Sequence, residues 1–259
     1  MGGFIFSLPL LYTMEIWWAG IQTNSISLLA MIGLTAILLL GYNTYAGVRP
    51  NETWAGVVID SVEEFGLSLV ASGCILLLLG RITTTDPLRE IVGKVVLEAL
   101  LMSIGISIGT AQVTHQNADE EKGPGKRPKD LWGVLVVSAC GAVVLATNIA
   151  VTDEVVVLAL ESSSIRLIGL IGVSFVLCGI ILLFSDLLKT KATEDRPTGL
   201  LEMTFGVFLS YSVAFCSSAL ILYLFGRFDG VALQPCLAMI VVLTSAASLG
   251  AASGKLLIR

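Results

Sequence analysis

Charge is what this chain has least of. Asp, Glu, Lys and Arg make up 14% of its 259 residues, against roughly 25% in a soluble domain. Nothing resembles the basic patch that nucleic-acid binding needs. There is one histidine, His115, in a polar stretch, which excludes bis-histidine haem ligation and His-based zinc sites. The five cysteines (Cys74, Cys140, Cys178, Cys216 and Cys236) form no CxxC and all fall in apolar runs, so they are expected to pack as small apolar residues. There is no HExxH, no Gly-x-Gly-Asp and no nucleophile elbow, so no enzymatic activity is expected. No lysine lies mid-span in the last helices for a Schiff base, since Lys255 is at the very end. The opening MGGFIFSLPL lacks a basic n-region, so its apolar segment is expected to remain as a membrane span.

What the chain has instead is apolar length. Runs of about 20 apolar residues, the length of a membrane-crossing helix, recur along it. They predict an all-α polytopic bundle of eight spans near residues 3–21, 25–46, 57–80, 88–112, 131–159, 164–185, 200–226 and 232–257. With eight spans, ten basic residues fall on the side of both termini: Arg49, Lys122, Lys126, Arg127, Lys129, Lys189, Lys191, Arg196, Lys255 and Arg259. Four fall on the other: Arg81, Arg89, Arg166 and Arg227. The excess predicts both termini in the cytoplasm of a bacterial plasma membrane. Trp17, Trp18, Trp54 and Trp132 stand near span ends, as an aromatic belt requires.

The two halves echo each other. Thr13-Met14-Glu15 matches Thr152-Asp153-Glu154 at an offset of 139 residues. Gly80-Arg81 matches Gly226-Arg227, and Val95-Val96-Leu97 matches Val241-Val242-Leu243, both at an offset of 146. The GxxxG of Gly105 and Gly109 matches that of Gly250 and Gly254 at 145. The drift in offset follows from a loop, GVRPNET, whose counterpart DLLKTKATEDRPTG is seven residues longer. The expected organisation is a four-helix repeat over 1–113, a cytoplasmic linker over 114–130 and a second four-helix repeat over 131–259. Four spans per repeat make the repeats parallel, related by a pseudo-two-fold along the membrane normal. Small-residue faces on the fourth and eighth spans would pack closely, along the seam between repeats.

Against this apolar background a few carboxylates stand out. Only fourteen residues precede Glu15, too few to cross a core of about 30 Å. The first span should therefore continue past Glu15, and the repeat carries Asp153 and Glu154 to the same depth. Glu90, Lys94 and Glu98 are spaced four apart and share a helix face, with Glu98 near mid-span. Ions in hydrocarbon are costly and usually mark a pathway. Carboxylates gathered there cannot all ionise, so they hold either protons or a cation that replaces them. Oxygen ligands without His or Cys favour H⁺, Na⁺, Ca²⁺, Mg²⁺ or Mn²⁺, and Thr13, Asn148 and Thr152 offer supporting oxygens. At the inner mouths Asp60, Glu63, Glu64 and Glu202 form a cytoplasmic vestibule.

PLLYTMEIWWAG, IVGKVVLEALLMSIG, NIAVTDEVVVLAL and LFGRFDG together resemble one family of bacterial integral membrane proteins, catalogued as a domain of unknown function. The resemblance covers nearly the whole chain and implies a multi-helix membrane protein with no settled activity. The sequence thus leads to a carboxylate-lined cation pathway between the repeats, a proton-coupled transporter or a channel. Glu15 and Glu154 would be its central pair, Asp153 would add negative charge, and Glu98 with Lys94 would relay or gate. The alternative is a non-transporting scaffold, or a protein binding a partner or pigment, whose buried acids are structural. The expected surroundings are lipid and a small inorganic cation, without nucleic acid, and a homo-oligomer is compatible with the sequence.

Overall fold

A computed structural model describes residue 7 and residues 11–47, 53–118, 131–193 and 199–254. Among the described residues there are nine helices and no strand: α1 (Met14–Gln22), α2 (Ser25–Ala46), α3 (Trp54–Leu78), α4 (Leu88–Ala118), α5 (Leu131–Ala150), α6 (Glu154–Glu161), α7 (Ser164–Thr193), α8 (Leu200–Leu224) and α9 (Leu233–Gly254). Seven of these are long and apolar enough to cross a membrane: α2, α3, α4, α5, α7, α8 and α9. The expected first span lies partly outside the described residues, and its described part is broken. Leu11 is helical, Tyr12 and Thr13 are not, and α1 begins at Met14.

The helix ends follow local chemistry. Asn24 caps α2 by accepting from the Ile26 N–H at 3.3 Å, and Thr53 caps α3 by accepting from the Gly56 N–H at 3.4 Å. Such caps satisfy donors that have no partner inside the helix. α3 ends at Gly80, whose φ of 66° lies in the left-handed region that glycine enters without penalty. The Arg81 N–H then returns to Leu76 O at 2.8 Å and the Gly80 N–H to Leu77 O at 3.1 Å, the Schellman pattern. α8 closes on the same device, with Gly226 at φ 70° and the Arg227 N–H on Leu222 O at 2.9 Å.

Two boundaries differ from expectation. The fourth span stays helical to Ala118 rather than 112, taking in part of the stretch expected to be linker; residues 119–130 lie outside the described residues. The expected fifth span, 131–159, is two helices, because the chain turns at Val151–Asp153. At 20 residues α5 is about 30 Å long, which crosses a hydrocarbon core unaided. Nothing obliges the helix to continue through Asp153.

The helices cluster into two units, the first holding α1 to α4 and the second α5 to α9 but for the first residues of α5 and the end of α8. In the first unit α4 is the core. It packs against α1, α2 and α3, and every residue from Val96 to Gly105 is buried, as in a helix enclosed on all sides. Gly20 of α1 lets the α4 backbone approach: a Cβ at Gly20 would lie 2.7 Å from Lys94 N. In the second unit α9 packs against α6 and α7 and meets α5 backbone to backbone. Gly250 faces Gly141 O, and a Cβ at Gly254 would lie 2.7 Å from Val137 O. This GxxxG face meets α5 of its own unit. Gly105 is buried and Gly109 half-buried in α4.

Candidate functional site

Asp153 and Glu154 start α6 and are both exposed. The turn before them is built from side chains that take over freed carbonyls. Asn148 Nδ2 donates to Val144 O at 2.7 Å and Thr152 Oγ1 to Ile149 O at 2.9 Å. Arg227 completes the arrangement: Nε donates to Ala150 O at 3.2 Å, Nη2 to Val151 O, and Nη1 to Asp153 Oδ1 at 2.8 Å. The carbonyls at the C-terminus of α5 have no intrahelical partner, and the guanidinium fork matches them. Asp153, expected to add negative charge, is instead neutralised by Arg227. A hydrogen bond from Thr152 holds the Glu154 carboxyl below its ordinary value. Arg227→Ala should therefore melt the α5–α6 turn, destabilising the protein by about 1–3 kcal/mol, since it leaves the Ala150 and Val151 carbonyls without their donor. Faster amide exchange around Thr152–Val156 would show it; exchange unchanged from wild type would refute this role.

In the first unit Thr13 stands at the N-cap position of α1 in an extended conformation, and Glu15 is half-buried in the first turn. The loop after α3 is tied back to α1 by Arg81, whose guanidinium carbon lies 4.1 Å from the centroid of Trp17, a cation–π contact. Lys94 closes the same corner. Its Nζ donates to Arg81 O at 3.0 Å and stands 3.9 Å from Asp86 and 4.0 Å from Glu90. Thr83 holds the Asp86 carboxyl below its ordinary value through a side-chain and a backbone hydrogen bond.

Lys94 thus turns toward the α3–α4 loop, and the expected Glu90–Lys94–Glu98 ladder is split. Glu98 is fully buried, and neither of its carboxyl oxygens has a hydrogen-bond partner among the described residues. It is the acid set deepest in either unit, in the middle of a helix that is itself a core.

A second polar cluster joins α2, α3 and α4 nearer the other end of α4. Asn43 Nδ2 donates to Glu64 Oε2 at 2.9 Å and to Ser61 Oγ at 3.1 Å. Ser107 Oγ donates to Asn43 Oδ1 at 2.7 Å, and Thr110 Oγ1 reaches Glu64 Oε1 at 3.3 Å. Glu64, expected in an open vestibule, is half-buried in this network. It lies about 15 Å along α3 from Trp54, by ten residues of helical rise. Asp60 is half-buried and Glu63 and Glu202 are exposed. Contrary to the expectation that no such motif is present, Ser107 stands in Gly105-Ile-Ser-Ile-Gly109, which has the Gly-x-Ser-x-Gly spelling of a nucleophile elbow. It lies inside a continuous helix rather than on a strand-to-helix turn, so it has no elbow geometry.

Asn43, Ser61, Ser107, Thr110 and the two arginines are functional candidates that sequence reasoning passed over. One signal was available: Ser61, Glu64, Ser68 and Ser72 are spaced three, four and four apart, a polar stripe along an apolar helix. Among the described residues no three His, Cys, Asp or Glu side chains gather as metal ligands would.

Seven apolar helices of membrane-crossing length among the described residues define a polytopic helical membrane protein. Residues 1–258 match the family described as "Putative integral membrane protein (DUF2391)", and the chain belongs to that family. No curated protein and no solved structure matches it.

Proposed function

We propose that this protein moves a small cation across a bacterial plasma membrane, with both termini in the cytoplasm and without catalysing a covalent reaction. Glu98 carries the proposal. An ionised group inside a membrane costs a few kcal/mol or more, and an unpaired buried acid adds its own desolvation. Packing alone gives no reason to place a carboxyl there, whereas a group that binds and releases H⁺, Na⁺, Ca²⁺, Mg²⁺ or Mn²⁺ requires one. The weight accordingly moves from the pair Glu15 and Glu154 to Glu98. Glu15, Asp153 and Glu154 border helix breaks, and half-helix ends at corresponding places in two repeats are where transporters place ions. Their role here is at the rim.

The test is flux in proteoliposomes under gradients of Na⁺, K⁺, Ca²⁺, Mg²⁺ or Mn²⁺, with internal pH and ion dyes. Wild type should move at least one ion, Glu98→Gln should lose the movement tenfold or more, and the Glu15→Gln, Glu154→Gln double variant should slow it without abolishing it. Equal flux in wild type and Glu98→Gln would refute the proposal.

A further inference from the structure

Building on the transport function proposed above, we infer that the cargo is the proton, conducted along the α3–α4 interface of the first unit from Glu98 to Glu64. Ca²⁺ takes about six to eight oxygens and Mg²⁺ about six, and among the described residues neither Glu98 nor Glu64 has such a set around it. A proton needs one oxygen at a time. Inward from Glu98, α4 places Ser103 and then Ser107 at steps of about 7.5 and 6 Å along its axis. Ser103, Ser107 and, across the interface, Ser68 and Ser72 are all buried hydroxyls. At rest Ser103 donates to Leu100 O at 2.8 Å, Ser68 to Phe65 O at 2.6 Å and Ser72 to Met102 Sδ at 3.8 Å, so the relay runs when these hydroxyls rotate off those acceptors. Hydroxyls and protonated carboxyls donate and accept at once, so each can pass its own O–H proton onward and take one from behind, with no net bond change. Asn43 fixes the inner end by holding the Ser107 hydroxyl and the Glu64 carboxyl on one amide.

The outward mouth is the corner of Lys94, Asp86 and Glu90. The remaining ionisable groups on the elements packed around α4 are Glu15 on α1, Tyr42 and Tyr45 on α2, Asp60, Glu63 and Cys74 on α3, and Arg81 in the loop. In a cycle, Glu98 gives its proton inward and is reprotonated from the outer side.

The second unit keeps only part of the stripe: at the repeat offset of 146, Ser61 and Ser68 correspond to Val207 and Ala214, and Ser72 to Ser218. At the same offset Glu64 corresponds to Ser210, Glu98 to Thr244 and Lys94 to Ile240. Ser210 and Thr244 are fully buried, and each turns its hydroxyl onto its own helix, at Gly206 O (2.9 Å) and Ile240 O (2.6 Å). The second unit therefore lacks a titratable group at either position, and the route is confined to the first.

The experiment uses the full chain in liposomes containing only potassium buffer, with a valinomycin-clamped potential driving H⁺ entry onto a pH dye. Parallel liposomes carry Na⁺ or Ca²⁺ gradients. H⁺ entry should fall tenfold or more in Glu98→Gln and in Glu64→Gln. It should persist in part in Glu98→Asp and stay within twofold of wild type in Thr244→Val. Thermal midpoints establish that each variant is folded. Glu98-dependent Na⁺ or Ca²⁺ flux without H⁺ entry would overturn the proton inference and leave the transport function standing. Loss in Glu98→Gln with wild-type rates in Glu64→Gln would overturn the route. No flux of any ion would overturn both.

Discussion

Glu98→Met is expected to make the protein more stable while removing its flux. In the wild type α4 is enclosed by α1, α2 and α3, and the Glu98 carboxyl sits fully buried without a hydrogen-bond partner among the described residues. A buried polar group without a partner costs about 1–3 kcal/mol relative to one that is satisfied. Methionine has a similar volume, no polar hydrogen and the flexibility to fill the same space. The substitution should therefore recover about 1–3 kcal/mol, read as a higher thermal midpoint in detergent, by the logic that lets apolar residues replace buried ions without loss. Stability gained together with function lost is the mark of a site held against the interests of folding. A lower midpoint would mean that Glu98 makes stabilising contacts, and the burial argument would fail.

The second large effect is steric. Gly250 and Gly141 meet backbone to backbone, and a Cβ on either would overlap the carbonyl oxygen of the other. Gly250→Val should force α5 away from α9 and destabilise the second unit by about 2–3 kcal/mol, the upper part of the usual range for overpacking. β-branching adds stiffness at a position with no room to rotate. The control is Gly169→Val on α7, where a Cβ meets nothing within 4 Å. Its midpoint should be close to wild type, and comparable losses in both variants would mean that the Gly141–Gly250 contact is not what holds the pair together.

Much of this fold was legible because apolar length and turn residues act locally. The spans read from hydropathy lie within a few residues of α2, α3, α8 and α9, and Gly80 and Gly226, singled out as a repeated pair, both adopt the left-handed conformation. The break at Val151–Asp153 was not legible, since no proline or glycine marks it. It rests on Arg227, 74 residues beyond Asp153 in the chain. The site divided in the same way. Glu98 stood out because a mid-span acid is rare, and the structure buries it fully. Its pairing with Lys94 was read from helical spacing alone, whereas the Lys94 ammonium finds a carbonyl and two carboxylates at the end of the helix. Asn43 and Ser107 lie 64 residues apart, and only tertiary packing joins them to Glu64. Spacing along one helix identifies a shared face; it does not say which neighbour that face will meet.

The most direct test of the central claim is ion movement into proteoliposomes holding wild-type protein or Glu98→Gln, matched for insertion and thermal midpoint. Movement present in wild type and reduced tenfold or more in Glu98→Gln is the result this account predicts. Identical movement in the two would contradict it and leave Glu98 a structural acid outside the pathway; no movement in either would contradict it as well and leave a protein that does not transport.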